Sequence, residues 1–330
     1  MINETANGNI LIDIHDSGKC LIVKKGNKDD KGTGADIIIE EEPENIYLAS
    51  SSVMDHFREL DVLSLVGMTS TKADDWSIPE AGELVDMGKI TYVGKYSLPD
   101  YELLLNKGCS LAIENTMIYH NPEVKETLES FGIPVIVERS SYESDPLGRL
   151  EWIKVYGAIT GKYEEACDYF ERCVNEIEKI ASDAGEIKKT AFFSIGQNGI
   201  VSIRTKDDYM TEMIRIAGGS YPFESLSKEA GTNKTLVTIQ MESFYEQCRD
   251  ADILIYNSTI QGDIRDLKDL YEKSEILAGI KACKEGNVFC MEKDMFQQPT
   301  DIKGVILDLA KIIRDPAAKD DELKYLHRLE

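Results

Sequence analysis

Long apolar runs are missing from this 330-residue chain: no stretch of eighteen apolar residues occurs, which excludes a conventional membrane-spanning helix. Basic residues are scarce, 37 Lys plus Arg against 60 Asp plus Glu, for a formal charge of −23. Such a surface repels nucleic acid and bare anionic membrane, so neither is an expected partner. Histidine is limited to positions 15, 56, 120 and 327, with no ligand spacing among them, which argues against a pre-formed metal site. Seven cysteines, at 20, 109, 167, 173, 248, 283 and 290, form no CxxC pair, and an odd, scattered set reads as small core hydrophobes and not as a disulfide framework. Catalytic signatures are absent too: there is no GxSxG elbow, no GK[ST] phosphate loop, no HExxH and no GxGxxG after a strand. GNKDDKGTGAD has glycines without that spacing and without a following helix, and reads as a turn.

What is present is a globular composition, 42% apolar and 29% charged, in a chain long enough for two cores. The stretch Lys162 to Ser182 places Tyr163, Ala166, Phe170, Cys173, Ile177 and Ile180 at alternating three- and four-residue spacing amid charged residues, one narrow apolar stripe on a helix. Gly161 precedes it and Asp183-Ala184-Gly185 follows, so both ends are punctuated. An ordinary surface helix has the same period, but this one stands mid-chain between two halves that both alternate strand and helix.

Residues 1–44 hold three β-rich runs, ILIDI, CLIVKK and DIIIE, which predict a small antiparallel appendage of the first lobe. Residues 45–161 alternate: NIYLAS, LSLVGM, ITYVG, SLAIE and GIPVIV as strands, with helices over 53–60, 80–87, 99–107 and 122–131 between them. Short apolar strands separated by helices predict a parallel sheet covered on both faces, with its ligand edge where strands end. Residues 162–182 are the linking helix. Residues 183–330 predict a second α/β lobe: TAFFSI and IVSIR paired around Gln197-Asn198-Gly199, a helix over 208–217 stopping at Gly218-Gly219, then ILIYNS, NVFCM, a helix over 302–314 and a helical tail. The fold class is α/β, two lobes each with a central, mostly parallel sheet flanked by helices, joined by a single long backbone helix.

NIYLASSSVMDHFREL, GKYSLPDYELLLNKGCSLAIE, ESFGIPVIVE, LGRLEWIKVYGAITGKYEEA, IRIAGGSYPF and MESFYEQCRDADILIYNST, in this order, resemble the substrate-binding proteins of bacterial ABC importers, in the class that handles ferric siderophores, haem and cobalamin. The resemblance runs from residue 45 to about 313. It implies capture of a small-molecule metal chelate between two lobes and delivery to a permease dimer, without bond chemistry, by a monomer with no resident cofactor. The lobes share one helix in place of flexible strands, so only modest compaction on ligand binding is expected; scattering profiles with and without ligand test this, and a large compaction would count against it. The implied location is extracytoplasmic, periplasmic or as a cell-surface lipoprotein. The polar MINETANGN carries neither signal peptide nor anchoring cysteine, as expected where an export segment has been removed and Met1 put in its place. The first forty residues lie outside the resemblance.

In that family one glutamate per lobe engages permease arginines, and Glu102 in PDYELL and Glu242 in QMESFY occupy matching places. Either alone is ordinarily explained by the helix dipole; the pairing points to docking. Ligand candidates are the strand-end positions: Thr71, Lys72 and Trp76; Lys95 and Tyr96; Glu114 to His120, with Met117, Tyr119 and His120 able to approach a chelated metal; and Arg139 to Tyr142. On the second side they are Arg204, Tyr209, Asn257 to Thr259, and Phe296 to Gln298. Arginine suits carboxylate or phosphate through paired donors, and tyrosine or tryptophan offers flat area to a large chelate, so an anionic ferric chelate is the first choice, with haem or cobalamin open. Arg139 is the leading candidate and Lys95-Tyr96 the next; some of these cations are expected to be merely solvated. The reading from another class, an enzyme or metallocluster scaffold, predicts turnover or a cluster on Cys109 or Cys290.

Overall fold

Alternation of apolar residues to two faces builds the first sheet of the computed structural model, which describes all residues except 16–17, 28–32, 41, 184, 197, 230–231, 233 and 259–263. The chain divides into two units. The first comprises Met1–Ser141, Arg149–Glu171 and Phe296–Thr300; the second comprises Tyr142–Gly148, Arg172–Met295 and Asp301–Glu330.

The first unit contains a five-stranded sheet in the order Val135–Glu138, Ala112–Asn115, Ile46–Leu48, Val66–Thr69, Thr91–Tyr92, parallel throughout as expected. Ile46, Leu48, Ile113 and Ile136 turn to one face, where Phe57 of helix Ser51–Glu59 and Ile153, Tyr156 and Ile159 of helix Pro146–Ile159 cover them. Tyr47, Ala112, Val135 and Val137 turn to the other, against Leu104 of helix Tyr101–Asn106 and Val124 and Leu128 of helix Pro122–Ser130. His56 is buried 4.9 Å from the Tyr156 ring, and burial pushes its imidazole down to about 4, so it stays neutral in the core.

The N-terminal sheet differs from expectation. It has four strands, Ile2–Glu4, Ile10–Ile14, Gly18–Val23 and Ile37–Glu40, and the last pair runs parallel. A parallel pair needs a long return crossover, which segment 24–36 is long enough to supply. Its inward residues Ile10, Ile12, Cys20, Ile22 and Ile39 belong to the same core as Ile46, Leu48 and Tyr156, so the sheet is packed into the unit.

The second unit orders its strands Leu236–Ile239, Val201–Arg204, Lys188–Ile195, Ile253–Asn257, Val288–Met291, Leu326–Arg328, with Gly219–Ser220 beside Lys188–Ile195. The central three are parallel, while the pairs at both ends are antiparallel. The 188–195 and 201–204 pairing agrees with the hairpin expectation, although Gln197 of its turn lies outside the described residues. The tail corrects a sequence expectation: in place of a terminal helix it forms a 3-10 turn, Asp320–Glu322, and an edge strand. The cause is local. Pro316 follows helix Ile302–Arg314, whose buried Asp308 accepts hydrogen bonds from the Lys324 and Tyr325 amides at 2.7 Å each and fixes them extended. Leu326 and Leu329 are buried, and the Arg328 guanidinium donates to the carbonyls of Gly286, Pro316 and Ala318.

Tyr163–Ser182 is one continuous helix, with residues 163–171 in the first unit and the rest in the second. Ala166, Cys173 and Ile177 of its stripe are buried. Gly157 permits the close approach at its start, since a Cβ there would lie 2.5 Å from that of Ala166 and 2.7 Å from the Lys162 carbonyl oxygen. At its end Arg314 donates to the Ile180 carbonyl at 2.7 Å and pairs with Asp183 at 3.0 Å.

Candidate functional site

The strand ends of the first unit bring several of the expected residues to the surface. After Ala112–Asn115, Asn115 holds the chain in place: its side-chain oxygen accepts from the Met117 amide at 2.9 Å, and its amide group donates to the Ala49 carbonyl at 3.2 Å. The 3-10 segment Thr116–His120 that follows buries Ile118 and exposes Met117, Tyr119 and His120. Arg139, just beyond Val135–Glu138, donates from Nη1 to the Tyr119 hydroxyl at 3.1 Å, with its guanidinium carbon 5.8 Å from the ring centroid. A cation and an aromatic face are thus presented together at one strand end.

Glu138 closes that strand. It is buried, its Oε1 accepts the Ser140 amide at 2.5 Å, and burial raises its carboxyl above the ordinary range. The Arg139–Tyr142 turn therefore rests on an internal hydrogen bond. Ser141 stays with the first unit through its carbonyl, which accepts from Arg149 at 2.9 Å, whereas exposed Tyr142 groups with the second.

Lys95 is exposed on a two-residue hairpin, Gly94–Lys95 with Leu98–Pro99, and Tyr96 is half-buried against the sheet's second face. Gly94 has φ +94°, and a Cβ would meet the Leu98 carbonyl oxygen at 2.8 Å, so this hairpin requires glycine. Lys72 is exposed before the turn Ala73–Asp75. Trp76 is half-buried, with Nε1 enclosed and lacking a hydrogen-bond partner among the described residues.

Phe296 was expected on the second side, yet Phe296–Thr300 belongs to the first unit. Gln297 accepts the Ser77 amide at 2.8 Å and donates to the Asp75 carbonyl at 2.8 Å, so Phe296 and Trp76 sit on two loops tied by one amide side chain. Buried Asp55 completes the anchorage by accepting from the Thr300 amide at 2.9 Å and hydroxyl at 2.5 Å. Neither Asp55 nor Thr300 stands out in the sequence, because an Asp and an Arg three apart on a helix resemble a solvated surface pair.

The second unit's candidates are mostly internal. Arg204 forms an ion pair with Asp208 at 3.5 Å, and Asp208 in turn caps helix Tyr209–Ile216 through the Met210 amide at 2.9 Å. Tyr209 and Asn257 are buried; Thr259 lies outside the described residues. Cys109 is half-buried and Cys290 buried, and among the described residues no group of three or more His, Cys, Asp and Glu side chains is placed to hold a metal.

Glu102 and Glu242 each lie in the first turn of a helix, Tyr101–Asn106 and Met241–Cys248, and both are exposed. Each helix leads into a strand, Ala112–Asn115 or Ile253–Asn257, that pairs in parallel with the first strand of its own sheet. The two glutamates are therefore topologically equivalent.

The profile of the family described as periplasmic binding protein matches residues 46–295. The chain belongs to that family. Periplasmic binding proteins are non-catalytic, which removes the enzyme reading. The N-terminal sheet of this periplasmic binding protein lies ahead of the matched region. Among relatives, two uncharacterized lipoproteins of Methanocaldococcus jannaschii are each 27% identical, over 282 and 261 residues, covering 82% and 78% of this chain and 70% and 60% of their own length. Among solved structures, the petrobactin-binding protein of Bacillus subtilis matches with a TM-score of 0.68 at 12% identity, covering 93% of this chain and 99% of that one. The periplasmic haem-binding protein of Vibrio cholerae matches at 0.65 and 17% identity, covering 81% and 98%. These likenesses establish the fold, α/β with parallel-rich sheets flanked by helices. No helix among the described residues is long and apolar enough to cross a membrane.

Proposed function

We propose that this periplasmic binding protein is the extracytoplasmic receptor of an ABC importer, that it captures an anionic ferric chelate, and that Glu102 and Glu242 dock it to a permease. The observation that carries the ligand class is the Arg139–Tyr119 pair at 3.1 Å, a cation on an exposed aromatic in a strongly acidic protein. Arginine meets carboxylate or catecholate oxygens with charge-assisted donors, and the ring offers area to a chelate's flat ligand groups. Lys72 and Lys95 are exposed at other strand ends and add to the same character, and His120 is exposed on the same segment as Tyr119. The petrobactin-binding and haem-binding descriptions of the structural neighbours support a chelated metal as cargo. Haem is the second reading, favoured by the haem-binding neighbour and by the exposure of Met117 beside Tyr119. The lipoprotein relatives support attachment outside the cytoplasm, and the helix Tyr163–Ser182 is proposed as the long link that typifies the class.

Titration of tryptophan fluorescence with ferric citrate, ferric catecholate and hydroxamate chelates, haem and cobalamin tests this reading. Trp76 lies on the loop tied to Phe296, so saturable quenching by one class, after inner-filter correction, is the expected result. Arg139→Ala should then weaken binding by roughly 1.5–3 kcal/mol, about ten- to a hundredfold, as for a charged hydrogen bond. No saturable change with any of these ligands would remove the case for a metal chelate.

A further inference from the structure

We propose that Glu114 is a proton-binding site that latches the recognition segment Thr116–His120 onto the first unit, closed while the carboxyl is neutral and loosened when it ionises. Glu114 is fully buried, and neither Oε1 nor Oε2 has a hydrogen-bond partner among the described residues. Along its strand, Ala112 and Glu114 turn to the face that holds Tyr47, Leu104 and Val137, with Glu114 opposite Val137. It is the last side chain on that face before the chain enters Thr116–His120, whose Ile118 packs into the same cluster. Burying a carboxylate with no donor costs far more than burying the neutral acid, so the packed arrangement selects the protonated form.

Among the described residues, the titratable groups packed in or against this cluster are Tyr47 from the central strand, Tyr96 from the hairpin, Tyr101 from the following helix and Cys109 from the turn before the strand. Burial raises Tyr47 and Tyr101 above the ordinary phenol range and pushes the Cys109 thiol up to about 11, while burial moves Glu114 up to about 8. Glu114 therefore changes charge at lower pH than these three. The direction follows from linkage: a group whose pKa is higher in the closed state contributes fully below the open-state value, near 4.5, and its contribution falls as pH rises, levelling off above about 8. An ionised carboxylate needs water, and Thr116–His120, which follows the Glu114 strand directly and lies outside the sheet, is the segment inferred to lift and admit it. Because that segment carries Tyr119, the partner of Arg139, the latch would make the recognition surface sensitive to alkaline conditions.

Hydrogen exchange of amides 115–120 in the whole protein, corrected for the intrinsic pH dependence of exchange, tests this without any ligand. Protection in the native protein should fall by up to about tenfold per pH unit between pH 5 and 8, while Glu114→Gln, an uncharged isostere, should remove that slope. His120→Asn in both backgrounds separates the segment's own imidazole from the effect. Equal slopes in the native protein and Glu114→Gln would overturn the latch. Should Glu114→Gln fail to fold, carbon-13 spectra of glutamate carboxyls in the native protein decide the question: one resonance titrating near pH 8 supports it, and all titrating below pH 6 overturns it. The result is independent of the importer reading, which the chelate titration tests separately.

Discussion

Asp55→Ala is expected to cost this protein about 3–5 kcal/mol of stability, measured by chemical denaturation, because it deletes the acceptor of a buried charged network. Asp55 on helix Ser51–Glu59 has no exposed surface. Its Oδ1 accepts from Arg58 Nε at 3.0 Å and Nη2 at 2.7 Å, and its Oδ2 takes both donors of Thr300. Alanine would orphan the Thr300 amide and hydroxyl and leave the Arg58 guanidinium, 30% exposed, with Glu59 at 3.6 Å, and a buried orphaned donor costs its full desolvation penalty rather than the small net value of a hydrogen bond. Arg58→Ala should cost less, since the Arg58 side chain is 30% exposed and Asp55 would keep the two Thr300 donors. Thr300→Val keeps the amide bond and removes only the hydroxyl, for about 1–2 kcal/mol. The same substitutions should raise hydrogen exchange across 296–300, because Asp55 and Gln297 hold that segment to the unit, with Tyr169 donating to the Thr300 carbonyl at 3.2 Å. A loss below 1 kcal/mol for Asp55→Ala would mean that Arg58 and Thr300 find other acceptors.

The first unit's parallel sheet was legible because each of its strands is a short apolar run set between helical patterns, and burial on both faces leaves that signature. The helix Tyr163–Ser182 was legible because one stripe of Ala166, Cys173 and Ile177 is buried while the rest of its surface is charged. The tail was not: its extended form depends on Asp308, a residue sixteen positions away whose carboxylate faces inward from an otherwise regular helix. Periodicity reports which side of an element is apolar and is silent about a single buried acceptor. The parallel pairing of Ile37–Glu40 was hidden for a related reason, since three β-rich runs carry no information on strand direction. At the site, strand-end logic brought Arg139, Tyr119 and Lys95 to the surface but also named Arg204, Tyr209 and Asn257, which the second unit uses internally. A cation after a strand has the same sequence appearance whether it meets solvent or an aspartate four residues on. Glu114 was named among the strand-end candidates as well; what distinguishes it is a buried carboxyl with no hydrogen-bond partner among the described residues.

Reversing charge at both docking candidates, Glu102→Arg with Glu242→Arg, is expected to abolish uptake through the partner importer while leaving chelate affinity unchanged. Both side chains are exposed in the first turns of their helices, and among the described residues neither carboxylate has an ion-pair partner. Helix Tyr101–Asn106 is capped independently of Glu102, by Asp100 accepting the Leu103 amide at 2.9 Å, and in either helix the loss of a favourable dipole interaction should cost only about 0.3–1 kcal/mol. Function is where the effect should be large. Two acidic points in the first turns of topologically equivalent helices suit a partner presenting two arginines, and reversal turns each attraction into a like-charge contact that costs several kcal/mol and slows encounter. Single reversals should be intermediate, and the loss should grow at low salt, where like charges are least screened. Near Glu102 in sequence Leu98 is 78% exposed and Leu105 46% exposed, so docking that covers them would also desolvate the charge and strengthen its dependence on a matched partner. Loss of chelate binding in the double variant would instead place these glutamates in the ligand site, and normal uptake would mean that the permease reads another surface.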